Sequence, residues 1–371
     1  MTQPRIAIVT DWLTSMGGAE RVVLELHNMF PDAPVYTSVF NKEVMPEFKN
    51  VDVRTTYLQK ILPKTLRYRH TLWPVLRSFA FPALDLSEYD IIISNTTAEA
   101  KAVKKRPGAV HICNCNTPTR YYWSHYEEFK RDFQFGILTS FIRPLIPFFV
   151  RWMRKRDLKS VEGVDVFIAS SSAVQARIKK YYNRSSTVIY PPVSVDRFEP
   201  ARIRDNYYVA LGRQVPYKRI DLAVAAATTL NLPLRVYGNG GEHQRLVDTA
   251  GPTVQFFTDR FSDASDSAVA AALSHAKGYI FPAEEDFGIV QVEALAAGAP
   301  VIAYAKGGAL DIVQDGESGV LFDEQTVESL VAAIKRADSI TFMPGTLRRK
   351  AKRFDKSLFV TKMRKIVSDN S

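Results

Sequence analysis

Short apolar runs alternate with segments of helical periodicity along the whole chain, and this alternation restricts the fold more than any other feature. In the first half the runs are RIAIVT, PVYTSVF, DIIISN, AVHICNC, VDVFIASS and STVIY; in the second they are YYVALG, LPLRVYG, TVQFF, GYIFP, PVIAYA and GVLF. Continuous apolar runs belong in parallel sheets covered on both faces, with the intervening helices as crossovers. The pattern predicts an α/β chain of two doubly wound, Rossmann-like sheets. Pro191–Pro192, in YPPVSVDRF, stops regular structure between the two series and marks the boundary. With 371 residues the chain holds two domains of ordinary size, 1–190 and 191–352. A basic tail, 353–371, has helical periodicity at Leu358, Met363 and Ile366 and is expected to cross back to the first domain. Ligands of such sheets sit at the carboxyl ends of strands, so the site is expected in a cleft between the halves.

Composition excludes several classes. A hydrophobic fraction of 46% and a charged fraction of 24% belong to a folded, soluble protein. The opening MTQPRIAIVTDWL does not read as a signal peptide. The most apolar stretch, FGILTSFIRPLIPFFV, is too short to span a bilayer and is interrupted by Arg143, Pro144 and Pro147. Cys113 and Cys115 read as two buried, reduced thiols of a cytoplasmic protein. No metal is expected, because the six histidines are scattered and no Asp-X-Asp occurs.

The net charge of +10 is unevenly spread. From Arg54 to Phe81 there is no acid, and Arg67, Arg69 and Arg77 stand among aromatics such as Trp73. From Phe141 to Lys159, Arg151, Arg154, Lys155 and Arg156 surround Trp152. Basic residues among aromatics suit an anionic membrane surface or single-stranded nucleic acid. Two helices with solvated basic faces would also account for each segment taken alone. Both lie in the first half and no common nucleic-acid motif occurs, which favours a membrane-docking surface and no nucleic acid. The expected location is peripheral, at the inner face of the plasma membrane.

Four pieces fall at the carboxyl ends of the second-half strands. LGRQVPYKR supplies Gly212, Arg213 and Lys218; YGNGG supplies Gly238, Asn239, Gly240 and Gly241; EEDFG opens a helix; KGG supplies Lys306, Gly307 and Gly308. Two cations, glycine turns and a helix start together describe a diphosphate site, with the amides near Gly288, Ile289 and Val290 pointing at the anion. Glu285 and Glu293 would lie about 12 Å apart if both were helical. With Glu285 in the loop before Gly288, both can reach one ligand. Carboxylates pair with vicinal hydroxyls, ribose for one and sugar for the other, as in a nucleotide diphosphate sugar.

The segment EDFGIVQVE resembles the E-X7-E motif of retaining glycosyltransferases of family 4, which have the GT-B architecture. The resemblance extends through GGAERVV, NTPTRYYW, VIYPPV, GRQVPYKRIDLA, YGNGG and AGAPVIAYAKGGALDIV. TPTRYYW and VPYKRIDLA are most similar to bacterial mannosyltransferases of O-antigen and exopolysaccharide assembly, which use GDP-mannose and a polyprenyl-diphosphate-linked acceptor. The resemblance implies no cofactor beyond the nucleotide-sugar donor. It assigns Arg213 and Lys218 to the donor diphosphate, Glu293 to the ribose, and Glu285 to the donor sugar or reacting centre. Backbone at Phe287, Gly288 and Ile289 would meet sugar hydroxyls or phosphate, and Gly17 and Gly18 would approach the diphosphate or acceptor. Asn116 stands where relatives often carry a histidine near the donor sugar, and Asp311 where they usually carry Glu.

Transfer with retention is expected by same-face attack, the leaving phosphate taking the acceptor proton; a covalent route through Glu285 is the alternative. A UDP-sugar donor, a nucleotide-sugar epimerase and a sugar- or lipid-binding protein are the rival readings. The scarcity of histidine disfavours the epimerase, and the presence of Arg213, Lys218, Glu285 and Glu293 together disfavours a binding protein.

Overall fold

A computed structural model of the chain describes residues 4–69, 73–127, 130, 143–258 and 266–371. It divides into two units, Met1–Tyr190 with Val360–Ser371, and Pro191–Phe359. Parts of both basic segments, 70–72 and 141–142, lie outside the described residues, as does the start of SDASDSAVAAALSHA.

The first unit is built on a parallel sheet of order β3-β2-β1-β4-β5-β6-β7. Its strands are β1 (Ile6–Thr10), β2 (Val35–Thr37), β3 (Val53–Thr55), β4 (Ile91–Thr96), β5 (Val110–Cys115), β6 (Val166–Ala169) and β7 (Thr187–Val188). Every residue of β4 is buried, as a strand covered on both faces requires. The principal helices are α1 (Gly18–Met29), α2 (Pro74–Ala80), α3 (Ile146–Glu162) and α4 (Ser172–Tyr182). The Ser171 hydroxyl caps α4 by accepting from the Val174 amide at 3.1 Å.

The acid-free segment is not one continuous helix, the alternative account of it. It starts in β3, then breaks into the short helices Leu58–Ile61 and Lys64–Arg67 and into α2. Pro63 and Pro74 stand at two of these starts, because proline opens a helix more readily than it continues one.

Helix α3 is anchored through Asp157 on its inner face, beside Ile146, Val150, Met153 and Val161. The Asp157 carboxylate pairs with Lys101 at 2.6 Å and accepts from the Trp123 indole at 2.7 Å and the Tyr182 hydroxyl at 2.8 Å. Both charges are buried, so each requires the other. Cys113 and Cys115 are free thiols buried in the same cluster as Val161 and Phe167.

The second unit holds a parallel sheet of order β10-β9-β8-β11-β12-β13. The strands are β8 (Tyr208–Leu211), β9 (Leu234–Tyr237), β10 (Val254–Phe257), β11 (Gly278–Phe281), β12 (Val301–Tyr304) and β13 (Gly319–Phe322). The helices are α5 (Ile220–Leu230), α6 (His243–Thr249), α7 (Asp266–His275), α8 (Ile289–Ala296), α9 (Val327–Asp338), α10 (Pro344–Ala351) and α11 (Lys356–Asp369). Ala223, Ala226, Val236, Ile280, Ile302, Leu330 and Ile334 form the core on one face of this sheet.

The second unit runs on through Phe359, past the 352 expected, and α11 residues from Val360 group with the first. The buried face of α11 is Phe359, Met363 and Val367: Met363 is buried as expected, but Phe359 and Val367 take the places expected of Leu358, which is 42% exposed, and Ile366. No helix of the described residues is long and apolar enough to cross a membrane.

Each sheet is laid down outward from a central pair. The chain goes from β1 to β3, returns to β4 and continues to β7; it goes from β8 to β10, returns to β11 and continues to β13. The strand pairs β1/β4 and β8/β11 are therefore the switch points, where loops diverge and open a crevice.

Candidate active site

Because all strands of the second unit are parallel, the loops after β9, β8, β11 and β12 lie side by side along one edge. These four loops carry YGNGG, LGRQVPYK, EEDFG and KGG, so the fold brings together the four pieces singled out in the sequence. Lys218, after β8, is ion-paired with Glu285, after β11, across the switch point. Their side chains are 20% and 17% exposed, so the pair is within reach of a ligand. Arg213 is exposed and donates to the Tyr217 hydroxyl at 3.2 Å. Gly212, at φ +153°, makes the turn that sets Arg213 ahead of Lys218.

Helix α8 begins at Ile289 after Gly288, which has φ +87°. Glu285 is thus in the loop and Glu293 is the fifth helical residue, buried at 7% exposure. Tyr279 of β11 lies close enough to sense both. Burial pushes the pKa of its hydroxyl well up, and the charges of Glu285 and Glu293 push it further. The first amides of α8, at Ile289 and Val290, have no partner within the helix and carry the positive end of its dipole.

The KGG glycines pack directly against the loop that carries Glu285. Gly308 donates its amide to the Glu285 carbonyl at 2.8 Å. A Cβ on Gly308 would stand 2.7 Å from the Phe287 carbonyl carbon, and one on Gly307 would stand 3.1 Å from that of Glu285. Gly307 and Gly308 are the floor on which the Glu285–Phe287 loop rests. Phe287 is buried and packs edge-on against Phe354 at 5.6 Å, which holds the loop from its other side. Lys306 is exposed beside the Tyr304 ring. Asp311 is half-buried, with its carbonyl accepting from Arg353.

In the first unit the corresponding switch point joins Gly17 and Gly18, at the start of α1, to the end of β4. Gly17 is the extended residue before α1. Asn95 donates to the Ala19 carbonyl at 3.0 Å and accepts from Asn114 at 2.7 Å and Asn116 at 3.2 Å. Asn116 therefore spends an N–H on Asn95 and keeps its oxygen to accept from another group. Asn95 and Asn114 went unnoticed in the sequence, where polar residues inside apolar runs were the available signal. Asp11, buried, organises the next loop by accepting from the amides of Thr97 at 2.7 Å, Ala98 at 3.1 Å and Ala100 at 2.8 Å.

The basic residues separate into two groups. Arg77 is not a surface residue: it is 5% exposed, bonded to Glu99 at 2.8 Å and stacked 4.9 Å from the Trp12 ring. A buried guanidinium needs such a partner, so Arg77 leaves the docking surface. Arg154 lies over Trp123 and Tyr126, and Arg156 donates to Ser78 and lies 3.9 Å from the Phe79 ring centre. Arg67 donates to the Leu62 carbonyl, and the Trp73 indole to that of Leu66. Arg69, Arg151, Trp152 and Lys155 are exposed.

A family model described as "Glycosyl transferases group 1" matches residues 193–354, and one described as "Glycosyltransferase Family 4" matches residues 16–197. Among curated proteins, a GDP-mannose-dependent alpha-(1-6)-phosphatidylinositol monomannoside mannosyltransferase of Mycolicibacterium smegmatis is 28% identical over 201 residues, 46% of this chain and 52% of that one. A D-inositol 3-phosphate glycosyltransferase of a Nocardioides species is 29% identical over 216 residues, 47% of this chain and 46% of the relative. The chain spans about half the length of the curated relatives it matches.

Among solved structures, Anabaena HepE in complex with UDP and glucose has a TM-score of 0.69 at 18% identity, covering 99% of this chain and 100% of that one. Sucrose-phosphate synthase from Thermosynechococcus elongatus has a TM-score of 0.70 at 18% identity, with 99% of each chain covered. At such identity the likeness is one of fold, and the fold is GT-B.

Proposed function

We propose that this chain, which carries both glycosyltransferase domains of the GT-B class, transfers a hexosyl group with retention from a nucleotide diphosphate sugar. The observation that carries the reading is the Lys218–Glu285 pair at the β8/β11 switch point, beside the start of α8. Arg213 and Lys218 would neutralise the donor diphosphate, aided by the α8 amides. The diphosphate competes with Glu285 for Lys218, which frees the carboxylate to accept from a sugar hydroxyl. Glu293 would hold the ribose. In the reaction the bond from the anomeric carbon to the phosphate oxygen breaks and a bond to the acceptor oxygen forms on the same face. The acceptor's proton passes to the departing phosphate, and its charge is met by Arg213, Lys218 and the helix start.

GDP-mannose is the proposed donor, supported by the VPYKRIDLA and TPTRYYW segments and by mannosyltransferases among the sequence relatives. A UDP-sugar is the second reading, favoured by the UDP complexes among the structural neighbours. The proposed acceptor is a polyprenyl-diphosphate-linked saccharide at an anionic membrane surface. Helix α3 supports this, because anchoring through Asp157 leaves Phe148 at 69% and Trp152 at 40% exposure on its outer side with Arg151 and Lys155.

The test is nucleotide release from GDP-mannose and UDP-sugars in the presence of a membrane extract. GDP release that depends on the extract is expected; no release from any donor would remove the transferase reading. Separately, replacing Arg151, Trp152 and Lys155 with Ser should abolish sedimentation with anionic liposomes, and unchanged sedimentation would return α3 to an ordinary solvated helix.

A further inference from the structure

Gln214 lies between Arg213 and the turn that presents Lys218, and it is completely buried. Burying an amide is costly unless each polar end is bonded, and here both ends go to the same neighbouring loop. Its side-chain nitrogen donates to the Gly238 carbonyl at 2.6 Å, and its side-chain oxygen meets His243 Nδ1 at 2.7 Å. Because an amide oxygen only accepts, the proton of that bond resides on His243 Nδ1. The backbone adds two more bonds: Gln214 N–H to the Asn239 carbonyl at 2.9 Å, and Glu242 N–H to the Gln214 carbonyl at 3.0 Å. Gly240 closes over this junction, where a Cβ would stand 2.7 Å from the Gln214 carbonyl carbon. His243 opens α6 and rests edge-on against Phe256 at 5.5 Å.

We propose that Gln214, supported by His243, is a positioning residue that fixes Arg213 and Lys218 relative to the Gly238–Gly241 loop for diphosphate binding. This rests on the donor-site reading above. An apolar residue of the same size would fill the space, so packing alone does not call for the amide. What the amide supplies is a fixed spacing between the loop that carries the cations and the glycine loop beside it. A cation held in place meets phosphate without first losing its freedom of position, and that advantage is lost when the weld is cut.

The test is calorimetric titration of the wild type, Q214L, Q214E and H243A with GDP, UDP and pyrophosphate, with a melting temperature for each protein. Q214L is expected to melt within a few degrees of the wild type and to bind the preferred nucleotide and pyrophosphate about tenfold more weakly, as for a lost buried hydrogen bond. H243A is expected to weaken both about threefold, the smaller effect of losing a support. Q214E keeps the acceptor for His243 but not the donor to Gly238. Its affinity should fall alongside that of Q214L although its size and shape are unchanged, an outcome that a simple packing defect would not create.

Equal affinity in Q214L and wild type overturns the proposal while leaving the donor site intact. Should Q214L fail to fold, H243A decides: unchanged affinity overturns the proposal and weakened affinity supports it. If the wild type binds neither nucleotide nor pyrophosphate, the donor-site reading itself fails and takes this inference with it.

Discussion

Gly308→Ala is the substitution whose effect can be worked furthest from the structure. Gly308 has no special backbone conformation; its φ is −69°. The constraint is space. A Cβ would lie 2.7 Å from the Phe287 carbonyl carbon, and other backbone atoms of Phe287 are nearer. Ordinary carbon contacts are about 3.5 Å, so one of the two segments must retreat by about 1 Å. No side chain can rotate away, because the obstacle is main chain. The KGG segment follows buried β12 and opens a helical turn, whereas Glu285–Phe287 is a loop, so the loop is the part that yields. If Glu285 acts at the reacting centre as proposed, a displacement of about 1 Å in its loop costs on the order of 100-fold in rate. The assay is donor turnover at saturating acceptor, with the melting temperature as control. Gly345→Ala is the internal comparison, since a Cβ there meets nothing within 4 Å and Gly345 lies in α10, outside the candidate site, so turnover should be unchanged. Normal turnover in Gly308→Ala would refute the claim that this glycine seats the Glu285 loop.

Other expected outcomes are simpler. Lys218→Ala removes the cation proposed to meet the leaving diphosphate and should lower kcat/KM on the order of 100-fold, as for a lost oxyanion donor; near-normal kinetics would contradict that role. His111 is fully buried beside the Ser94 hydroxyl at 2.8 Å, and burial lowers its pKa to about 4. The folded first unit keeps His111 neutral while the unfolded chain takes up a proton near pH 6.5. Its contribution is therefore whole above that pH and lost as pH falls toward 4. By pH 5 the loss is about 2 kcal/mol. Urea unfolding at pH 7 and pH 5 should show this difference in the wild type and a smaller one in His111→Phe. Gly345→Ala, in α10 with nothing within 4 Å of the new methyl, should raise stability by about 0.5–1 kcal/mol. A lower melting temperature would show that this glycine has a use in the structure.

Much of the second unit was legible in the sequence because its signals are local. YYVALG, LPLRVYG, GYIFP and PVIAYA each contain a strand, and the residue after each run opens a loop of the site. Gly288 reads as a helix start, and the separation of Glu285 from Glu293 by that start follows from it. Strand order is not local, and only the sheet shows that LGRQVPYK and EEDFG are neighbours across a switch point. Gln214 was passed over for the same reason, since its partners are Gly238, Asn239 and His243 in another loop.

In the first unit the basic segments misled. Arg77 reads as surface charge until Glu99 is found beside it, and Glu99 is 22 positions away. The short β3 was missed because three residues carry too little periodicity to separate from the basic stretch they open. In α11 Met363 reads correctly as buried, but Leu358 and Phe359 are both apolar, as are Ile366 and Val367, and only packing selects Phe359 and Val367.

The central claim is glycosyl transfer with retention from a nucleotide diphosphate sugar, and the most direct measurement follows both products at once. Protein, carbon-13-labelled GDP-mannose and a membrane lipid extract are incubated together, GDP is quantified, and the anomeric signal of the labelled glycolipid is recorded by NMR. GDP and a glycolipid are expected in equal amounts, with the anomeric configuration of the donor kept. An inverted product would contradict the same-face mechanism, and the absence of any labelled glycolipid, with GDP-mannose or with UDP-sugars in its place, would contradict the account as a whole.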